Sequence, residues 1–387
     1  MDHQALNIQL IQESEAGDVA AITKLLGEGA SVDYKDELGR TALMAATQKN
    51  QVAAVKALID AGSDVNTRDI TQLSPFICSA ANGFHEIVKL MIAGGAELGS
   101  VNRFGGTALL PSSEKGYLKT VQVCLDAGVP VNHVNNLGWS ALLESVILGN
   151  GGRLYSNIIE TLVAAGADVH LQDRDGKSSL VHAQELQQTK VISILQKQFV
   201  ETDEFIVEAK ALANTDQYEQ AIEVIDKALK SDSQNTDYLY YKGYFLQELK
   251  RYEEALEQFN KALIINPDDL DFYFYTANCL RLWKQPEKAL MEYDKACELN
   301  PNETFYRYHK SNYLRELGRH EEAVVEMDIL LALQPNRYDF SFHKANSLRS
   351  LGKHKEAIEA IENAIKNDPT NPLYHAHKEQ SIALLNK

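Results

Sequence analysis

The chain of 387 residues contains four cysteines, with no C-x-x-C pair and no regular spacing among them: Cys78, Cys124, Cys279 and Cys297. This pattern argues against a disulfide framework and against zinc ligation, and it predicts reduced cysteines in the core. No stretch of 18 apolar residues occurs, so no membrane-spanning helix is predicted. The N-terminal segment has acidic side chains and no long apolar run, so we expect no secretory signal peptide and a cytoplasmic location.

Basic residues are outnumbered, because 38 Lys and Arg stand against 54 Asp and Glu, for a formal net charge of -16. Both halves are acidic, with a net charge of -6 over residues 1–200 and -10 over residues 201–387. Nucleic-acid binding proteins gain affinity from clustered Lys and Arg, so a nucleic-acid partner is not expected. Hydrophobic residues make up 44% and charged residues 24%, which is the balance of a folded protein, and the length suits two domains.

Catalytic and cofactor-binding motifs are also missing. The sequence has neither the G-x-x-x-x-G-K-[ST] loop that cradles phosphates nor the H-E-x-x-H motif of zinc enzymes. His375 and His377 are two residues apart and would lie on different sides of a helix. We therefore predict a non-enzymatic protein with no catalytic residue, metal, cofactor or small-molecule substrate. A third hypothesis, besides the two binding functions given below, is a cryptic enzyme that uses the glycine-rich segment 149–152 or the histidines His309 and His343.

Two internal repeats fill the chain, and the first has a period of 33 residues. A glycine recurs at this spacing, with a fifth copy after 38 residues: Gly29, Gly62, Gly95, Gly128 and Gly166. A hydroxyl residue recurs with the same period, at Thr41, Ser74, Thr107 and Ser140. The hydroxyl suits a helix N-cap, and the glycine suits the left-handed backbone that ends a helix. Each unit therefore predicts two helices whose apolar faces pack against the neighbouring units.

From about residue 202 the period becomes 34. An alanine recurs at Ala221, Ala255, Ala289, Ala323 and Ala357, and a proline at Pro267, Pro301, Pro335 and Pro369. A small residue recurs earlier in every unit, at Ala209, Gly243, Ala277, Ser311 and Ala345. Small residues let two antiparallel helices approach closely, and the proline ends the second helix of the pair.

The segments DELGRTALMAA and IETLVAAGADVH resemble the ankyrin repeat, and YEEALEQFNKALIINPDD resembles the tetratricopeptide repeat, or TPR. The resemblance implies an all-α fold, in which an α-solenoid of ankyrin repeats (helix–turn–helix units with short β-turn connections) is followed by a TPR superhelix. We predict an ankyrin-repeat domain over residues 1–200, with about six units, the first and last degenerate, and an insertion in the fifth. We predict a TPR domain over residues 201–387, with five units and a C-terminal capping helix.

In TPR arrays the first helix of each unit lines the concave face, so the resemblance implies a peptide groove there. With units counted from residues 236, 270, 304 and 338, positions 5, 9 and 12 share one helical face. These positions give the candidate contacts Tyr240, Tyr244, Phe274, Asn278, Arg281, Tyr308, Asn312, Arg315, Phe342, Asn346 and Arg349. Asparagine can hold a peptide backbone and arginine a carboxylate, which indicates an acidic peptide or a free C-terminal carboxylate as the ligand. The alternative is that the asparagines and aromatics only pack adjacent helices.

Ankyrin arrays, by family resemblance, bind through their turn tips and inner helices. The residue after each turn glycine, or its equivalent, gives the candidate contacts Arg40, Leu73, Trp139 and Lys177. An exposed Trp139 would have the area to anchor an interface. The alternative is that its ring folds onto a neighbouring unit.

These features predict a cytoplasmic scaffold or adaptor that binds partner proteins or peptides, with no membrane partner, through the TPR groove and the ankyrin tips and inner helices. A second hypothesis is that the chain is an effector or regulator that is delivered into another cell. In that case it would resemble some bacterial ankyrin proteins. Because repeat surfaces vary with the partner while the fold stays fixed, the fold alone does not name the ligand.

Overall fold

The computed structural model describes residues 3–197, 199, 201–367, 369–370 and 372–385. These residues form helices and loops, with two isolated β-bridges and no sheet. The predicted all-α repeat fold is therefore confirmed. The chain divides into two compact units, Met1–Phe199 and Val200–Lys387. Among the described helices, none has the length and apolar character needed to cross a bilayer.

The first unit is built from two layers of helices, because odd-numbered helices pack on one another and even-numbered helices do the same. The odd-numbered helices begin each repeat and are called the inner helices below, and the even-numbered helices are called the outer helices. The helices in the described part of this unit are α1 His3–Ala16, α2 Val19–Gly27, α3 Ala42–Gln48, α4 Val52–Asp60, α5 Pro75–Ala81, α6 His85–Ala93, α7 Leu109–Glu114, α8 Leu118–Asp126, α9 Ala141–Ile147, α10 Arg153–Ala164, α11 Ser179–Glu185 and α12 Thr189–Leu195.

The second unit is a succession of antiparallel helices, each packed on the helix that follows it in the chain. The helices in its described part are α13 Glu204–Asn214, α14 Tyr218–Ser231, α15 Thr236–Glu248, α16 Tyr252–Ile265, α17 Asp271–Leu282, α18 Pro286–Leu299, α19 Thr304–Glu316, α20 His320–Leu333, α21 Tyr338–Ser350, α22 His354–Asn367 and α23 Pro372–Leu385. The helices before the recurring prolines end at Ile265, Leu299, Leu333 and Asn367, as the 34-residue pattern predicts.

The hydroxyl series caps the inner ankyrin helices, with one exception. Three members accept a hydrogen bond from the backbone N–H three residues on, at 3.2–3.3 Å: Thr41, Ser74 and Ser140. The prediction is wrong for Thr107, because Leu110 N–H donates to the Thr107 carbonyl oxygen at 3.2 Å instead of to its hydroxyl. Pro111 lies in the first turn of α7 and has no N–H to give that carbonyl, so the helix starts with a tighter turn.

The recurring glycines end the outer helices as predicted. All five adopt left-handed backbone, with φ between 88° and 96°. In the second repeat, Gly62 N–H donates to the Ile59 carbonyl at 2.9 Å, and Ser63 N–H donates to the Leu58 carbonyl at 3.0 Å. This pair of bonds satisfies the last carbonyls of α4, and residues other than glycine are strained at that φ.

Small residues sit where the TPR helices cross most closely. The alanine series of the second helices is fully buried. At Gly243 of α15, an added β-carbon would lie 2.3 Å from the ring of Phe259 on α16. The small-residue pattern predicted that the two helices approach closely, and at Gly243 this approach leaves no room for a larger residue.

A lysine–carboxylate pair recurs between neighbouring TPR units. Each pair joins the first helix of one unit to the second helix of the unit before it: Lys242–Asp226, Lys310–Asp294, Lys344–Asp328 and Lys378–Glu362. At the one remaining boundary, between α16 and α17, the two corresponding positions hold Asn260 and Thr276. Both charged residues are thus replaced together, which indicates that the two positions act as a pair.

Restoring this pair with Asn260→Asp and Thr276→Lys is expected to give a coupling energy of about 0.2–1 kcal/mol, the range for ion pairs at the surface. Thr276 is only 5% exposed, so the single substitution Thr276→Lys is expected to be destabilising by itself. Urea unfolding of the two single variants and the double variant measures this coupling energy. A coupling energy of zero would mean that the two positions at this boundary lie in a different register from those of the other four.

The fifth ankyrin unit contains the insertion, which lengthens α10 to 12 residues, whereas α4, α6 and α8 have 9 each. The loop before α10 is held by the next repeat, because Gln188 Nε2 donates to the carbonyls of Val146 and Gly149 at 3.0 Å each. The glycine-rich segment is therefore part of the packed structure.

The last helix, α23, packs on α22 and buries Tyr374, His377 and Ser381. Its outward side exposes Ile382 and Leu384. The helix thus packs on α22 and leaves apolar side chains exposed on its other side, so its role as a cap remains a prediction.

Candidate protein-binding surfaces

The four aromatic residues at position 5 lie in the packing between neighbouring TPR units. They are only 1–3% exposed: Tyr240, Phe274, Tyr308 and Phe342. Each ring meets a ring of the following helix pair, with centroid distances of 4.7 Å for Tyr240–Tyr275, 4.8 Å for Phe274–Phe305, 5.8 Å for Tyr308–Phe340 and 5.6 Å for Phe342–Tyr374. Side chains this buried have almost no surface to give to a partner. Their assignment to partner contact is corrected to a packing role, which was the alternative interpretation.

The position 9 residues of the first two of these units also contact their own array. Tyr244 is half-buried and stacks on Tyr240, with ring centroids 6.3 Å apart. Asn278 is half-buried, and its Oδ1 accepts a hydrogen bond of 3.1 Å from the Tyr293 hydroxyl. Both keep part of their side chains accessible.

In the last two units the asparagine at position 9 supports the arginine three residues on. Arg315 Nη1 donates to Asn312 Oδ1 at 3.0 Å, and Arg349 Nη2 donates to Asn346 Oδ1 at 3.2 Å. His377 Nε2 lies 2.8 Å from the same oxygen of Asn346. Both asparagines are buried, so they position the arginines and do not themselves face solvent.

The three arginines at position 12 each reach the following helix pair. The contacts are Arg281 Nη2–Glu316 Oε2 at 2.8 Å, Arg315 Nη1–His343 Nδ1 at 2.9 Å and Arg349 Nη1–Gln380 Oε1 at 2.6 Å. All three side chains are half-buried. They form the row that we call the arginine row (Arg281, Arg315 and Arg349), which connects neighbouring units and keeps part of each side chain accessible.

A row of histidines at position 6 was not recognised from the sequence as a packing element. His309 and His377 are buried, and His343 is half-buried. His309 packs on Phe274 at a centroid distance of 5.0 Å, and His377 packs on Phe342 at 5.3 Å. Their 34-residue spacing was the signal that could have identified them.

Each ankyrin tip is closed by the Asp or Asn that begins it. In the second tip, Asp69 Oδ1 accepts hydrogen bonds from the backbone N–H groups of Thr71 at 2.8 Å and Leu73 at 3.0 Å. The same arrangement recurs with Asp36, Asn102, Asn135 and Asp173. These residues follow the period of the glycines, so the sequence contained the signal for this loop closure.

The residues predicted at the tips are the last residues of these loops, and all are half-buried: Arg40, Leu73, Trp139 and Lys177. Arg40 Nε pairs with Asp36 at 2.9 Å, and Lys177 Nζ pairs with Glu185 at 2.7 Å. Both bases thus contact their own repeat. Part of the Trp139 side chain stays accessible, so its role as an anchor remains a prediction.

The most outward apolar side chains of the first two tips are Leu38 and Ile70, which are 52% and 64% exposed. Ile70 N–H donates to the Leu38 carbonyl at 3.1 Å, and the link holds the two tips side by side. We call this pair the tip pair. Sequence reasoning missed it because it followed the residue after each turn glycine.

Glu144 on α9 is a carboxyl group in the interior of the ankyrin unit. Its Oε1 accepts a hydrogen bond of 2.8 Å from Asn135 Nδ2, and its Oε2 is buried with no hydrogen-bond partner among the described residues. Burial, and secondarily the charge of Glu114, raises the pKa of Glu144 well above its ordinary value. Because Oε2 is closed off from solvent, the group is not placed to act on a substrate.

The four cysteines are buried free thiols. Burial raises the pKa of Cys78, Cys124 and Cys279 to about 12, which disfavours the reactive thiolate. Over the described ranges, no group of three or more His, Cys, Asp and Glu side chains could hold a metal ion.

Comparison with known families agrees with this geometry. The ankyrin-repeat family model matches residues 10–97 and 76–173, and the tetratricopeptide-repeat model matches residues 206–269 and 308–372. The comparison with curated proteins gives no match.

Among solved structures, an ankyrin repeat domain from Acinetobacter baumannii AYE is 43% identical over 49% of this chain and 97% of its own, with a TM-score of 0.48. Another ankyrin repeat protein is 32% identical over 49% of this chain and 97% of its own, with a TM-score of 0.47. A chain from the complex of a predatory endopeptidase of Bdellovibrio bacteriovorus with an immunity protein is 23% identical over 49% and 97%, with a TM-score of 0.43.

Stacked helix pairs with recurring caps and small residues define an α-helical repeat protein. The chain belongs to the ankyrin-repeat family through its N-terminal region, within residues 10–173, and its C-terminal region matches the tetratricopeptide-repeat model over residues 206–269 and 308–372. Both kinds of repeat are in general protein–protein interaction modules and are typically not enzymes.

Proposed function

We propose that the chain is a non-enzymatic cytoplasmic adaptor that binds one partner protein through the TPR array and another through the ankyrin tips. The observation that carries this proposal is the presence of two different interaction arrays in one chain, each with its own accessible row of side chains. In the TPR array that row is the arginine row, and in the ankyrin array it is the tip pair together with Trp139.

The arginine row suits a partner that presents carboxylates. Arginine offers a planar fork of donors that matches a carboxylate, and the 34-residue spacing repeats that fork along the array. Because Asn312 and Asn346 hold the guanidinium groups of Arg315 and Arg349 in place, these two arginines lose less side-chain entropy on binding than a free arginine would.

The tip pair suits a partner with an apolar side chain. Leu38 and Ile70 are exposed apolar residues held together by the backbone bond between their loops. An apolar anchor in a rigid loop gains burial at little entropic cost. The ankyrin and TPR surfaces therefore differ in chemistry, which favours two different partners.

Affinity capture with the full chain tests the proposal. The chain and two variants, Arg315→Glu and the double variant Leu38→Glu, Ile70→Glu, are used as baits, and the captured proteins are quantified by mass spectrometry. We expect each variant to lose one set of partners at least tenfold, which corresponds to about 1.4 kcal/mol, and to keep the other set.

Matched controls are Lys230→Glu, which reverses an exposed charge in the same array, and Val325→Glu, which adds an acid at an exposed apolar position. Both should capture what the original chain captures. If nothing is enriched above bare resin, the adaptor function is wrong. If the same proteins are captured by every bait, partners bind elsewhere than at these two rows.

A further inference from the structure

A cavity of about 320 Å³ lies between the second helices of the fourth and fifth TPR units, α20 and α22, with α21 as its floor. Its floor and one wall are formed by Ser341, Lys344 and Leu348 of α21 and by Glu356, Glu359 and Ala360 of α22. None of these residues belongs to the arginine row. The volume is at the lower end of the range for ligand sites in proteins, so the cavity suits a small group such as one side chain.

The preceding unit shows what fills the equivalent space there. Arg307 stands 34 residues before Ser341, and Glu326 stands 34 residues before Ala360. Arg307 Nη1 pairs with Glu326 Oε2 at 2.6 Å, and both side chains are largely buried. The first three units also have a large residue at the position of Ser341: Phe205, Leu239 and Tyr273. The cavity in the fifth unit therefore marks the place from which an arginine and its carboxylate partner are both missing.

The two acidic side chains that line the cavity are not paired within the array. Glu356 and Glu359 are exposed, and neither makes an ion pair with a residue that the structure describes. Carboxylates at the equivalent positions of the second, third and fourth units do pair with a basic residue of the array: Glu254–Arg251, Glu257–Lys261, Glu292–Lys295, Glu322–Arg319 and Glu326–Arg307. The fifth unit thus keeps the negative charge next to the cavity and lacks the cation.

The lysine in the floor of the cavity is engaged elsewhere. Lys344 Nζ pairs with Asp328 of α20. The equivalent Lys310 of the fourth unit pairs with Asp294 in the same way and lies beside Arg307, because both contact Glu326. A lysine at this position is therefore compatible with an arginine side chain next to it.

The rest of the lining suits a long aliphatic stem. Leu331, Leu348 and Ala360 supply apolar surface. Asn363 Nδ2 donates a hydrogen bond of 2.9 Å to Ser341 Oγ, so these two polar groups satisfy each other. An arginine can lay its stem along apolar surface while its guanidinium, a planar fork of donors, reaches a carboxylate.

We propose that this cavity binds an arginine side chain of a partner protein, with the guanidinium held by Glu356 and Glu359. The site is separate from the arginine row and the tip pair, so the inference goes beyond the proposed function and adds a third surface. Arginine is favoured over lysine because Arg307 fills the equivalent space in the fourth unit. A protein is favoured over a free guanidine compound because both carboxylates are exposed, which leaves a small ligand little burial, whereas the net charge of -10 over residues 201–387 attracts a basic surface.

The test uses the full chain on an array of octapeptides of diverse sequence, each with one central arginine and uncharged ends. Every peptide is paired with a copy that carries citrulline, the neutral isostere of arginine. We expect the bound arginine peptides to bind at least tenfold more tightly than their citrulline copies. The double variant Glu356→Gln, Glu359→Gln should remove this difference at an unchanged melting temperature, because both residues are exposed.

The matched control is Glu223→Gln, Glu253→Gln, which removes the same charge from two exposed positions on other second helices and should keep the difference. A further variant, Ser341→Arg, Ala360→Glu, rebuilds the pair of the fourth unit inside the cavity and should weaken binding of the arginine peptides at least tenfold.

Equal binding of arginine and citrulline peptides overturns the inference and leaves the adaptor function standing. Lysine peptides that bind as tightly as arginine peptides overturn the choice of arginine. Free acetyl-arginine amide that binds as tightly as the best peptide overturns the choice of a partner protein. Absence of any peptide binding also overturns the inference, and the lysate capture then decides on the adaptor function separately.

Discussion

Replacing Phe274 by alanine is expected to lower the free energy of unfolding of the TPR unit by about 3–5 kcal/mol, the usual cost of removing a fully buried ring. Phe274 is 1% exposed and packs on Phe305 and His309 of the next unit, with centroids 4.8 Å and 5.0 Å away. The loss would fall on the boundary between two repeats, which is where a helical array gains its cooperativity.

Urea unfolding followed by tryptophan fluorescence measures this loss. Trp283 lies at the end of α17, the helix that carries Phe274, so a Trp139→Phe background leaves one reporter in the TPR unit. The matched control is Phe205→Ala, because that ring is 37% exposed and should cost less than half as much. If the Phe274→Ala variant kept its stability and lost peptide binding, Phe274 would have to be assigned to partner contact in the groove.

The burial of Phe274 and the other position 5 rings shows how much of the structure a repeat sequence can predict. The 33- and 34-residue periods predicted the helices, their glycine and proline ends and the close approach at Gly243, because these features depend on single residues and their neighbours in one unit. The position 5 rings were placed wrongly because the face they occupy depends on how far each unit rotates relative to the next. Positions 5, 9 and 12 share one helical stripe. In the structure, however, position 5 is buried between neighbouring TPR units, and position 12 is half-buried at the edge of that contact.

The remaining differences have equally local causes. Thr107 has the right spacing for a cap, but Pro111 in the first turn of α7 changes the hydrogen bond that the cap would make. Arg40 and Lys177 have the right spacing for tip contacts, but Asp36 and Glu185 in their own repeats pair with them. These outcomes depend on which neighbouring residues the fold brings into contact, and a periodic sequence pattern does not show those contacts.

The ankyrin unit should lose stability as the pH rises, through Glu144. Burial raises the pKa of this carboxyl well above its ordinary value of 4.5, so between that value and the raised one the native state keeps a proton that the unfolded state releases. The unfolded state then binds fewer protons, and the free energy of unfolding falls with rising pH by at most about 1.4 kcal/mol per pH unit for this one group. Glu144→Gln removes the titrating group, so the variant should match the original chain near pH 4 and exceed its stability by more than about 1 kcal/mol at pH 7.

The difference in the free energy of unfolding of the ankyrin unit between variant and original chain is the quantity to follow, because every other group whose pKa changes on folding titrates in both proteins. Trp139 reports on the ankyrin unit in a Trp283→Phe background, and it belongs to the same tip loop as Asn135, the hydrogen-bond donor to Glu144. Glu97→Gln is the matched control, since Glu97 is exposed and the same change there should leave the difference flat. A flat difference for Glu144→Gln as well would mean that Glu144 ionises in the folded protein with compensation from solvent, and that the interior of this repeat is more open than the packing around Asn135 indicates.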